Sequence, residues 1–228
     1  MSSTRLRRAL VRCGAITVGL VAVIGVLHMP IGRPLLAKLG VGCPITKATP
    51  EQIDRARAIP AAGYAGMPSA PTRPAAGFEL EKTTLSDLEA WAERRGIHCE
   101  RLHGNETIRA CKDVDAVDLG EPTSFAPAEE VDFEFRARGT LAVVTVLRRK
   151  LEVAHATTMV AELSRRLSGE LGAPAKSAGV NTPEHFAKGP LQSYQEEYAF
   201  GDYAATLSET RIGNTGLLVR AQYFSPVP

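Results

Sequence analysis

Between Cys13 and Leu27 the chain reads CGAITVGLVAVIGVL, an uncharged apolar run directly behind the basic start MSSTRLRRALVR. This run constrains the fold more than any other stretch, because an N-terminal apolar rod decides on which side of a membrane the rest must fold. With its flanks it spans residues 10–28, about twenty positions, enough for a helix to cross a hydrocarbon core of roughly 30 Å. Pro30 closes it. A removable signal peptide has a similar start but needs small residues at its exit. The exit here is Leu27-His28-Met29-Pro30-Ile31, and a lipoprotein signal fails because Gly40 stands where a Leu is needed before Cys43. The expectation is an uncleaved transmembrane signal anchor, with a cleaved signal peptide as the alternative.

Arg5, Arg7, Arg8 and Arg12 precede the run, and no acidic residue occurs before Glu51. The positive-inside rule then leaves residues 1–9 as a cytoplasmic stub and places everything after 28 in the periplasm or outside the cell. Residues 29–76 read as a juxtamembrane segment and linker. IGRPLLAKLGVG is a short amphipathic piece suited to the membrane surface. Thr49-Pro50-Glu51-Gln52 starts a short polar helix, with Thr as cap and Pro at the first helical position. PAAGYAGMPSAPTRPAA follows as a Pro/Ala-rich tether that is extended or laid along the body.

The first forty residues hold six of the 27 Lys+Arg and none of the 25 Asp+Glu, so the exported part is mildly acidic. A nucleic-acid binder would carry a basic stripe there instead, so nucleic acid is excluded as a partner. The exported domain is expected over residues 77–226, long enough for one core.

Its first helix is LSDLEAWAERR, capped by Thr83 or Thr84 and stopped by Gly96, with Leu85, Leu88, Trp91 and Ala92 on one face. IHCERLHGNETIRAC reads as a hairpin around Gly104-Asn105-Glu106. A three-residue loop places Cys99 opposite Cys111, whereas a two-residue loop would turn them to opposite faces. In an oxidising compartment a Cys99–Cys111 disulfide is favoured. Reduced thiols are the first alternative; a metal site using His98, Cys99, His103 and Cys111 is the second, but its spacing matches no common zinc pattern. The acidic loop with Asp113, Asp115 and Asp118 lacks the Gly and terminal Glu of a calcium loop. No metal and no cofactor is expected.

VDFEFRA alternates, and LAVVTVL is apolar on both faces, which suits the middle of a sheet. The helix EVAHATTMVAELSRRLSGELG follows. Residues 173–190 read as a crossing loop, and three strands close the chain, the first two joined through Gly201-Asp202. The fold expected is α+β: an antiparallel sheet of about six to seven strands with two main helices packed on one face. TTLSDLEAWAERR and TTMVAELSRRL hint at a tandem duplication, but too faintly to count as a repeat.

Four of the five tyrosines, Tyr194, Tyr198, Tyr203 and Tyr223, lie in the closing meander. They are either sheet core with hydroxyls at the rim or an aromatic binding face. No G-x-S-x-G, H-E-x-x-H or S-x-x-K pattern occurs in the exported part. His98, His103, His155 and His185 would have to serve a dispersed active site. The leading expectation is a non-enzymatic, membrane-anchored envelope domain that binds another protein. The alternatives are a lipid or small apolar ligand domain and an exported hydrolase. An interior cavity with convergent polar groups would favour the alternatives; a filled core with an uncovered apolar patch would favour the first.

Overall fold

The computed structural model describes residues 49–102, 105–213 and 216–226. The apolar run 10–28, Cys43 and His103 lie outside them. Among the described residues no helix is long and apolar enough to cross a membrane.

The described residues form an α+β body of one eight-stranded antiparallel sheet and four α-helices. In chain order these are α1 (Pro50–Ala61), α2 (Leu85–Arg95), β1 (Cys99–Arg101), β2 (Ile108–Val114), β3 (Ala128–Phe135), β4 (Leu141–Leu151), α3 (Val153–Leu171), β5 (Lys176–Ala178), α4 (Pro183–Ala187), β6 (Leu191–Ala199), β7 (Ala204–Ile212) and β8 (Leu217–Phe224). The strands lie in the order β1-β2-β3-β4-β8-β7-β6-β5. The chain thus runs twice through a helix and a four-strand meander, and the last strand of each meander meets the other at the sheet centre. The faint likeness of the two helix sequences therefore has a counterpart in element order, with α4 present only in the second half.

Local rules account for the elements. Thr84 caps α2 through a reciprocal pair with Asp87, and Gly96 ends it at φ +66°. Arg138-Gly139 turns β3 into β4, and Gly201-Asp202 turns β6 into β7, with the Phe200 N–H bonded to the Tyr203 carbonyl at 2.8 Å. The alternating stretch Phe78-Glu79-Leu80-Glu81, which suits a short edge strand, forms none: Glu81 sits at φ +64° and its N–H donates to the Leu141 carbonyl at 2.8 Å. The reading of a crossing loop differs too. The stretch 173–190 holds β5 and α4; β5 is three exposed residues, Lys176–Ala178, and carries no apolar alternation to reveal it.

Register builds the core. Val131 pairs with Val146 and Phe133 with Val144 across β3–β4, and Val144 pairs with Tyr223 across β4–β8. Tyr223 pairs with Ala205, and Ala205 with Tyr198. This one face is covered by α3, whose Met159, Val160, Leu163 and Leu167 are buried. Each such side chain contributes about 1.5–3 kcal/mol by leaving water. At the other end α2 lays Trp91 against it, with ring centroids 5.0 Å from Phe78 and 6.0 Å from Phe133.

The opposite face carries Glu134, Val143 and Phe224, and α1 lies over it. No residue of α1 is buried, so polar contacts hold it there. Arg57 donates to Glu134 Oε2 at 2.6 Å and to the Phe135 carbonyl at 3.2 Å, and Tyr64 stacks edge-on against Phe224 at 6.3 Å. A strap then follows, crossing the β6–β7 hairpin toward α3. The Gly201 N–H donates to the Pro68 carbonyl at 2.9 Å. The Ala70 N–H donates to Asp202 Oδ1 at 2.8 Å, and Arg73 pairs with Asp202 Oδ2 at 3.0 Å. Thr72 Oγ1 donates to the Glu170 carbonyl at 3.3 Å, and Tyr203 OH to the Pro74 carbonyl at 2.7 Å. A Cβ on Gly201 would stand 2.6 Å from the Met67 carbonyl oxygen, so only glycine admits the strap. The second half of the segment read as a linker, residues 49–76, therefore belongs to the compact unit, which begins at Thr49.

A strap-covered cavity as the candidate site

Three groups of buried acid lie on the face beneath α3, and each has a different chemistry. Glu196 is fully satisfied. Tyr194 OH and Ser164 Oγ donate to Oε1 at 2.6 and 3.0 Å, and Tyr198 OH donates to Oε2 at 3.0 Å. Ser168 Oγ lies 3.0 Å from the same Tyr198 hydroxyl. Burial, then the Glu196 carboxylate, holds the Tyr194 hydroxyl well above the usual phenol range. Such a network ties β6 to α3 and leaves those hydroxyls nothing to offer a ligand.

Glu209, on β7 between Tyr194 and Val219, has no such partners. It is fully buried and neither carboxylate oxygen is bonded. Burial alone pushes it up to about 7, since an unpaired charge in a dry site is expensive.

The third is an ion pair. Arg148 is the largest fully buried side chain, on β4. Its Nε donates to the Ala126 carbonyl at 2.8 Å, and one terminal nitrogen pairs with Glu121 Oε2. The pair is one-sided: Glu121 Oε1 and Arg148 Nη1 are both buried without a partner. Burial raises the Glu121 carboxyl, against the opposing pull of Arg148.

Beside this pair lies a cavity of about 280 Å³, lined by the strap at Pro74–Phe78, by Leu119–Glu121, by Leu163, Arg166, Leu167 and Glu170 of α3, and by Tyr223. Ala75, Ala76, Phe78, Leu163 and Leu167 give it apolar surface, and α3 adds Arg166 and Glu170. Glu121 and Tyr223 also line it, and burial first, then the Glu121 charge, raises the Tyr223 hydroxyl. Arg166 stands at the rim, its Nη2 bonded to the Gly120 carbonyl at 3.2 Å. Two other hollows, of about 270 Å³ beside Cys99 and about 310 Å³ under α1, lack a buried unpartnered charge.

The residues singled out from sequence separate here. Cys99 and Cys111 face each other across β1–β2 and form the disulfide, so neither thiol is available to a metal. Tyr194, Tyr198, Tyr203 and Tyr223 are all buried, on no open aromatic face. Tyr223 alone lines the cavity; Tyr203 anchors the strap that roofs it. The Nε2 atoms of His155 and His185 lie against the carbonyls of Ser124 and Ser193 at 3.3 and 3.2 Å. Asp118 pairs with Arg95. Among the described residues no group of three or more His, Cys, Asp or Glu is placed to hold a metal ion.

Glu121, Arg148, Arg166 and Glu170 went unremarked in the sequence. One signal was there: alternation in LAVVTVLRRKL sets Arg148 on the same face as Val144 and Val146, where a charge must find a partner. No known protein family matches the chain, and neither a curated protein nor a solved structure shows significant similarity to it.

Proposed function

We propose that the chain is a membrane-anchored extracytoplasmic domain that holds a small ligand in the cavity under its strap. One observation carries this reading: a hollow of about 280 Å³ walled by the chain's own strap at Pro74–Phe78, by α3 and by Tyr223, with Glu121, Arg166 and Glu170 among its lining. The apolar side chains supply affinity, and the polar groups supply orientation. Residues 10–28 are the anchor on this reading, with the N-terminus in the cytoplasm and the domain in the periplasm or outside the cell. The Cys99–Cys111 disulfide is consistent with that side of the membrane.

Organic extraction of the full-length chain, purified from its own membranes, tests this. A stoichiometric small molecule in the extract, absent from an Ala75→Leu variant whose cavity is filled, supports it; extracts that do not differ overturn it. An alkaline phosphatase fused after the C-terminus tests the address, being active only outside the cytosol.

A second reading, a module for another envelope protein, has its own observation. The edge strand β5 is three residues long, and Val180 and Leu191 beside it are 54% and 77% exposed. An added strand from a protein partner could pair there. Cross-linking in membrane extract, with loss on Leu191→Glu, tests it.

A further inference from the structure

We infer that α1 is a releasable part of the tether: it lifts off the sheet as one unit about Gly66, baring Val143, Ala204 and Phe224 and lengthening the chain between body and membrane. The added reach rests on the anchor reading; the undocking does not. α1 has no buried residue, so no fully buried apolar side chain locks it down. Two polar side chains hold it to the end of the β3–β4 pair. Arg57 reaches Glu134 and the Phe135 carbonyl, and Asp54 Oδ2 accepts from the Ala137 N–H at 2.9 Å. Their side chains keep 11% and 25% exposure, and water competes for ionic contacts at such sites. Beyond them Tyr64 touches Phe224 edge-on. A hollow of about 310 Å³ separates Arg57, Pro60 and Tyr64 from Val143, Ala204 and Phe224, so helix and sheet do not pack closely.

The strap, a few residues on, is held differently. Bonds at Pro68, Ala70, Thr72, Arg73 and Pro74 fix it to the β6–β7 hairpin and to α3, and Ala75 and Ala76 are buried. Between these two zones the amides bond only within a local turn: Ala65 N–H to the Ala62 carbonyl at 3.3 Å, and Met67 N–H to the Tyr64 carbonyl at 3.2 Å. Gly66 stands there at φ +82° with open space around it, which places the hinge. A free helix of α1's 12 residues is marginal in water, so it unwinds once lifted. Residues 50–66 then span up to ~60 Å at about 3.5 Å each, where the docked helix covers ~18 Å.

Amide hydrogen exchange on the full-length chain in lipid nanodiscs tests the undocking. In the wild type, residues 54–59 should be protected, yet exchange at least a hundredfold faster than Val144 and Leu207 in the sheet core. Gly201, whose N–H holds the strap, should exchange at least tenfold more slowly than they do. Arg57→Ala should speed residues 54–59 at least fivefold and leave Val144 and Leu207 unchanged. Arg55→Ala should alter neither, since the Arg55 Nε bonds only to the Glu51 carbonyl within α1. Residues 54–59 that exchange only together with the core, that lack protection altogether, or that ignore Arg57→Ala would overturn the undocking. Neutron reflectometry on the same chain in a supported bilayer reads the reach: Asp54→Ala/Arg57→Ala should spread the body farther from the bilayer than in the wild type. Faster exchange in that variant with an unmoved body would overturn the tether role and leave the undocking standing.

Discussion

Glu209→Gln should stabilise the protein at pH 8 and leave it nearly unchanged at pH 4. Glu209 is fully buried, its two carboxylate oxygens have no partner, and its pKa is pushed from 4.5 to about 7. The group is raised, so the unfolded chain releases this proton at lower pH than the folded one does. Stability from this site is therefore complete below about pH 4.5, falls as pH rises through the interval to about 7, and is level above it. At about 1.4 kcal/mol per pKa unit the loss is about 3 kcal/mol, an upper figure because local relaxation lets water reach the ionised group. Gln keeps the volume and, like protonated Glu, leaves its polar atoms unbonded, so the two proteins match in acid. Denaturant unfolding of the full-length chain, followed by its single tryptophan, Trp91 on α2, measures both across pH 4–9. Asp132 is also raised, to about 6, by burial first and then by Glu130 and Glu134. It bends both curves alike, so their difference isolates Glu209. A difference that stays flat from pH 4 to 8, or a variant less stable at pH 8, would refute the reasoning.

Three further outcomes can be checked the same way. Cys99→Ser, or reduction, opens a bridge of sequence separation 12 and should cost about 3 kcal/mol on the chain-entropy estimate, read as a lower denaturation midpoint; an unchanged midpoint would deny the disulfide. Asp202→Ala removes two strap contacts, to Ala70 and Arg73. It should cost about 1–2 kcal/mol and speed cleavage within the strap by proteinase K, whereas wild-type cleavage rates would show that the strap is held elsewhere. Arg148→Met should cost about 3–5 kcal/mol by stranding Glu121, and most of that should return in Arg148→Met/Glu121→Leu; additive losses would mean the two do not act as a pair.

Short-range and periodic signals were the legible ones. The Thr84 cap, the Gly96 stop, the Cys99–Cys111 register and the inward alternation of Val131, Phe133 and Phe135 all follow from spacing along a few residues. β5 was not legible because its edge position is set by pairing with β6, between Lys176 and Glu197, rather than by its own three residues. The docking of α1 and the strap was hidden for a related reason. A polar helix without buried residues and a Pro/Ala-rich stretch carry no apolar pattern, and what fixes them is remote: Glu134 for one, Asp202 and Tyr203 for the other. Alternation alone does not decide the tyrosines between core and binding face; Glu196, between Tyr194 and Tyr198, was the clue to their role. Glu197 follows it on the opposite face of the sheet, and only the register shows which of the two carboxylates is buried beside Ser164.

A crystal structure of the full-length chain, purified from its own membranes with no ligand added, reads the cavity bounded by Glu121, Leu163 and Tyr223 directly. Organic density against Leu163, Leu167 and Tyr223, in contact with the strap, is the predicted result. A cavity collapsed onto its own side chains, or filled only by water, would contradict a ligand-binding role.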